Sequence, residues 1–174
     1  MKSDELEKIQ KLIPYAVLLP IPEGQKGPRF KDWNKKRYET TKTPKYKAWL
    51  QREGNTGVLL GQASDGLCSI DIDIDEIADE FLEANPQLKN SLITRGHRGC
   101  NVWVKLDGPY PAATKFDWGE FRADGNQTVI SGTHPEGNDY MMVNEASPIS
   151  IDFGDITFPE GTEFKGVTRG GNTY

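Results

Sequence analysis

Residues 55–75 read NTGVLLGQASDGLCSIDIDID. Two apolar runs flank a turn rich in Gly, Ser and Asp, which predicts two strands joined by a tight connection. In the second run Ile and Asp alternate strictly from Ile70 to Asp75. Strand geometry sends Ile70, Ile72 and Ile74 to one face and Asp71, Asp73 and Asp75 to the other. Carboxylates about 7 Å apart along one face repel one another, and an opposing cation is the natural remedy. Hard oxygen ligands select Mg²⁺, Mn²⁺ or Ca²⁺ over zinc. The competing reading is an edge strand whose acids simply face water. Asp is a poor strand former, however, and Thr, Lys or Glu would serve solubility better. Asp75 adjoins a helix start at Glu76 and is also a candidate cap.

Toward the N-terminus, SDELEKIQKLI opens on a cap residue, Ser3, and places Leu6, Ile9, Leu12 and Ile13 on one helical face. Pro14 ends that helix. YAVLLPI then reads as a strand, PEGQKGPRFKDW as a loop, and Pro44 to Gln51 as a second helix. Toward the C-terminus a short helix, Glu76 to Ala84, stops before Pro86, and SLITR, CNVWVKL, QTVIS and MMV read as strands. The tail from Ser147 has little periodic pattern, and RGGNTY is expected to fray. Strands outnumber helices. The order predicts an α+β fold, a mixed, largely antiparallel sheet with flanking helices.

The 174 residues fit one domain. It divides into a basic part (1–52), a carboxylate-bearing part (53–146) and the poorly patterned tail (147–174). Seven Phe and four Trp argue against disorder although the hydrophobic share is 36%. No run approaches the roughly 20 apolar residues of a membrane helix, and the opening MKSDELEKIQ is too charged for a secretory signal. A cytoplasmic protein without membrane partners is expected. Cys68 and Cys100 lie in apolar stretches, outside any metal-type spacing, and read as small core residues. Residues 1–52 carry 13 Lys and Arg against 6 Asp and Glu, whereas residues 53–174 carry 8 against 20. Such an asymmetry suits a polyanion-binding surface beside a cation-binding cluster; a solvated basic face is the bland alternative.

A third acid is wanted from elsewhere in the chain. WGEFRADGNQTVIS offers Glu120, with Arg122 and Asp124 further along the same face if the segment is extended. An acid and a base there can meet one metal-bound phosphate, or merely pair with each other.

Four stretches in order then resemble a known family. LLPIPEGQKGPRFKDW is similar to a strand followed by Lys, Pro and Trp, with Lys26, Pro28 and Trp33 in place. NTGVLLGQASDGLCSIDID is similar to a strand pair running into Asp-x-Asp, here Asp71 and Asp73. TRGHRGCNVWV matches in part a Thr, a Gly-rich turn and a His before an aromatic strand. GEFRADGNQTVISGTHPEGNDY matches an acid on a strand and then His-Pro, Gly and Tyr, here Glu120, His134 and Tyr140. The pattern, from about Tyr15 to Tyr140, resembles the N-terminal primase-polymerase (Prim-Pol) domain of bifunctional DNA primase/polymerases, within the archaeo-eukaryotic primase superfamily.

The resemblance implies a DNA primase and DNA polymerase domain for replication of a plasmid, phage or mobile element, working by two-metal nucleotidyl transfer. Asp71, Asp73 and Glu120 would be catalytic and would bind Mg²⁺ or Mn²⁺. Asn101, Arg122, His134 and His97 would meet the nucleotide, and Lys26, Arg29, Lys31 and Trp33 the nucleic acid. One departure stands out. Counting back from Trp103, the family's nucleotide-binding His corresponds to Asn101, a neutral donor, and the nearby histidine is His97, earlier in the turn. Implied partners are a single-stranded DNA template, dNTP or NTP, and a helicase or helical accessory domain. Lys31, Lys35, Lys36, Arg37, Lys42, Lys45 and Lys47, interleaved with Trp33, Tyr38, Tyr46 and Trp49, resemble a surface for backbone contact and base stacking; the alternative is an exposed linker with its aromatics half in the core. Rival functions are a catalytically degenerate nucleotide- or DNA-binding module and a metal-dependent nuclease.

Overall fold

The computed structural model describes residues 2–164 of the chain. Helix α1 (Lys2–Leu12) buries Leu6 and Ile9 and sets Asp4 and Glu5 in its first turn, against the positive end of the helix. The helix already contains Ser3, which is therefore an interior residue and not the cap. Strand β1 (Val17–Ile21) follows, then α2 (Pro44–Arg52), β2 (Asn55–Leu59), β3 (Leu67–Ile72) and α3 (Asp75–Ala84). After these come β4 (Ile93–Arg95), β5 (Cys100–Asp107), β6 (Thr114–Phe116), β7 (Gly119–Arg122), β8 (Gln127–Ser131), β9 (Met141–Asn144) and β10 (Ile149–Asp152).

The strands form two sheets. The smaller has the order β1-β2-β8; the larger runs β6-β7-β3-β5-β4-β9, with β10 parallel to β5 and every other pairing antiparallel. Pro20 lies inside β1, which an edge strand tolerates because one side of its backbone needs no ladder partner. Thr43 caps α2 by accepting a hydrogen bond from the Tyr46 amide, and Pro44 occupies the first turn, where its missing N–H costs nothing.

Alternation along β3 and β5 decides the layering. Cys68, Ile70 and Ile72 join Cys100, Val102, Val104 and Leu106 in a core against Phe81 of α3, Leu88 and Phe121. On the opposite face Leu67 and Trp103 enter a second core with Leu6, Ile9 and Leu50 of the N-terminal helices and Val58 and Ile130 of the smaller sheet. That second core covers one end of the face. At the other end Ser69, Asp71 and Asn101 occupy the same face, where Ser69 is buried and Asp71 and Asn101 line a cleft. Both cysteines are buried and unpaired, as their apolar settings imply.

Two sequence expectations need correction. The strand ends at Ile72, so the alternation does not carry through to Asp75: Ile74 is 39% exposed and precedes α3, and Asp75 lies inside its first turn. Asp75 is not the cap; its carboxylate accepts hydrogen bonds from the Arg95 guanidinium (2.8 Å) and the Gly99 amide (2.9 Å). The described part of the tail, residues 147–164, also carries more structure than its pattern suggests. Residues 149–152 form β10, the buried Asn85 side chain holds both the amide and the carbonyl of Thr157, and Phe153, Phe158 and Phe164 pack on the first core. Neither a four-residue strand nor a non-periodic aromatic cluster leaves a sequence period. RGGNTY lies outside the described residues.

Candidate active site

Asp71 sits at the middle of the site because β3 is central in the larger sheet. The register pairs Asp71 with Asn101 of β5 on one side and with Glu120 of β7 on the other, and Glu120 in turn faces Lys115 of β6. Asn101, Asp71, Glu120 and Lys115 thus form one row across four strands, on one face. Directly opposed residues in antiparallel strands have Cβ atoms about 5 Å apart, so side chains separated by tens of positions in sequence become neighbours. Asp73 extends beyond the strand, its amide donating to the Trp118 carbonyl at 2.8 Å.

Two glycines let the flanking chain approach this strand. A Cβ on Gly119 would overlap the Asp71 carbonyl oxygen, and one on Gly99, whose φ is +63°, would overlap that of Ile72. Gly99 closes the turn 96–99, which the Asp75 carboxylate and Arg95 hold in place.

The row forms part of the wall of a cleft of about 630 Å³ between the two sheets. Asp71, Asp73, Glu120, Arg122, Asn101, His97, His134, Lys26 and Trp33 all line it. The structure therefore brings together the three acids, all four candidate nucleotide contacts and two of the four candidate nucleic-acid contacts. Arg29 and Lys31 do not line it: both are exposed, and Arg29 bonds instead to Gln25 at 2.9 Å. Asp124 lies beyond the end of β7 and accepts hydrogen bonds from the Gln62 amide and the Tyr110 hydroxyl, a structural role. Lys115, Arg98, Gln127 and Glu136 line the cleft as well. Sequence reasoning missed Lys115 because nothing in TKF marks a strand that pairs with Glu120.

Arg122 organises the acids. Its Nε donates to Glu120 at 3.0 Å and its Nη2 to Asp71 at 3.2 Å. Burial raises Asp71 to about 6; Asp73 and Glu120 push the same way, while Arg122 and Lys26 oppose them. Among the described residues, no three His, Cys, Asp or Glu side chains are arranged as a finished metal centre. The donor set still fits a hard divalent cation: carboxylate oxygens of Asp71 and Glu120 already converge on one cationic group, and Asp73 lines the same cleft. Ser69 donates to the Asn101 side-chain oxygen at 3.0 Å, which leaves the Asn101 amide nitrogen as the donor free to serve a ligand.

The histidines line the same cleft. His97 and His134 stack at 5.6 Å, His134 touches Tyr140, and Asn138 ties the two turns by donating to the Gly96 carbonyl at 2.7 Å and contacting His97. His134 Nδ1 accepts from the Glu136 amide at 3.0 Å, so its proton resides on Nε2. Burial, then the positive charges of Lys26 and His97, hold His134 below the usual histidine range, against the opposing pull of Glu136.

Tyr46 departs from the stacking surface expected of it. It is buried and its hydroxyl donates to the Leu18 carbonyl, so it is a core residue. Among the described residues no helix is long and apolar enough to cross a membrane. In comparison with known proteins, the family model described as bifunctional DNA primase/polymerase, N-terminal, matches residues 14–152. No curated protein matches the chain significantly.

Proposed function

The chain belongs to the Prim-Pol family of bifunctional DNA primase/polymerase N-terminal domains, and from that premise we propose that it extends or initiates a nucleic-acid strand on a DNA template in replication of a plasmid, phage or mobile element. The family supports primase/polymerase-type nucleotidyl transfer in general. The observation that carries the finer reading is the convergence of Asp71, Asp73 and Glu120 in one cleft, with Asn101, Arg122 and two histidines around them.

In this reading Asp71, Asp73 and Glu120 hold Mg²⁺ or Mn²⁺. Such ions, when bound, stabilise the attacking and leaving oxygens of phosphoryl transfer. Arg122 keeps the acids gathered in the absence of the ions and, once released from them, is placed to meet triphosphate oxygens. Lys26, Arg98 and the histidines add positive or hydrogen-bonding groups, and the Asn101 amide donates where the family has His. Trp33 at the cleft offers a flat face for a base. Residues 1–174 act as one catalytic unit, with a helicase or helical accessory domain as the partner class.

Primer extension with Mn²⁺ and dNTPs tests this on the wild type and on Asp71→Ala with Asp73→Ala. Template-dependent synthesis lost in the variant supports the proposal. A second reading, a catalytically degenerate nucleotide- or DNA-binding module, is favoured by Asn101 in place of His and by Arg122 already engaging two of the acids; binding without synthesis in the wild type establishes it. Metal-dependent shortening of the primer would identify a nuclease instead.

A further inference from the structure

A second cleft, of about 310 Å³, runs along α2. Thr43, the N-cap of α2, and Tyr46, Trp49 and Arg52 along the helix line it, and Lys45 and Lys36 add charge. At 1.5 Å per residue the helix gives it a length of about 13 Å. Lys45 and Arg52 are exposed, and Trp49 is half-buried. Among the described residues Lys36, Lys45 and Arg52 form no ion pair with an acid. Lys36 lies over the rings of Phe30 and Tyr46, at 5.8 and 5.3 Å, and Phe30 packs on Trp49 at 4.7 Å.

One short segment of chain carries a lining residue of each cleft. Trp33 lines the catalytic cleft and Lys36 the second, with a 3-10 turn, Trp33–Lys35, between them. A 3-10 rise of about 2 Å per residue makes that step roughly 6 Å. Each cleft thus presents cations and aromatic side chains, and the chain passes from one to the other within a few residues. A free nucleotide fills a single cleft, and an acidic peptide has no need of aromatic faces. A single nucleic-acid strand uses both, because phosphates meet cations while unpaired bases stack.

We infer that the α2 face is a second nucleic-acid contact, holding the single-stranded template where it leaves the catalytic cleft. The inference rests on the template-dependent reading above, but it is tested separately. Binding of a fluorescent oligodeoxythymidylate is followed by anisotropy over a range of salt for the wild type, for Lys45→Ala with Arg52→Ala, and for the charge-keeping Lys45→Arg with Arg52→Lys. Each phosphate contact to a single strand contributes about 0.7 to the slope of log affinity against log salt. Losing two should lower the slope by about 1.4 and the affinity at about 0.1 M salt by about 25-fold, with the charge-keeping variant close to wild type. An unchanged melting temperature in each variant shows that the fold is intact.

Alanine-variant affinity within about twofold of wild type, where the loss of two contacts requires about 25-fold, overturns the inference. So does a wild type that binds no oligonucleotide, or a duplex that competes as well as the single strand. A chain that binds the strand through α2 yet never extends a primer fails the catalytic reading alone. One that extends primers while the alanine variant keeps full template affinity fails this inference alone.

Discussion

Replacing Arg122 with Met keeps most of the side-chain volume and removes the charge that gathers Asp71 and Glu120. The three side chains are 28%, 19% and 20% exposed. Removing one partner of a fully buried ion pair costs about 3–5 kcal/mol, and an exposed pair is worth about 0–1. At this intermediate burial, and with two acids sharing one guanidinium, the loss is set at about 2 kcal/mol. For a domain of this size that lowers the melting temperature by about 4–8 °C. The assay is thermal unfolding of both proteins in EDTA and in Mn²⁺. If the carboxylates accept the ion, Mn²⁺ at about 100 times its dissociation constant contributes about 2.7 kcal/mol and restores the variant. The wild type gains less, because Arg122 competes for the same oxygens. A variant that melts within about 1 °C of wild type in EDTA refutes the bridging role, and equal Mn²⁺ gains in the two proteins refute the shared site.

Glu120→Gln should abolish most metal-dependent synthesis while shifting thermal stability little, since the amide keeps the shape and an acceptor for Arg122; comparable losses in both would mean a structural role. His134 is held toward its neutral form, so a triphosphate that favours the imidazolium takes up a proton on binding, and affinity measured by calorimetry in EDTA should strengthen from about pH 7.5 toward 5.5. His134→Gln should show a shallower profile; parallel profiles would remove His134 from the triphosphate. Gly119→Ala drives a methyl into the Asp71 carbonyl and should destabilise the fold by about 3 kcal/mol, read by chemical denaturation, whereas a neutral effect would mean that β7 shifts freely away from β3.

Much of this protein is local and therefore readable from the chain. Alternation from Ile70 to Asp73 separates a buried face from an acidic one because strand side chains alternate whatever surrounds them. Prolines at 14, 44 and 86 bound helices for reasons internal to the residue. The stretches that resemble the family run from about Tyr15 to Tyr140, and the family model matches residues 14–152. What local rules do not contain is register. That Asp71 faces both Asn101 and Glu120, that Lys115 joins the same row, and that Arg122 spans two acids follow from pairings between segments tens of residues apart. Asp75 continues the sequence alternation yet serves a turn, because the strand ends when Ile72 meets its last partners and the helix begins. The described part of the tail and the stacked histidines depend in the same way on contacts that exist only once the sheet has closed around them, since burial and charge pairing are properties of neighbours in space and periodicity reports only neighbours in sequence.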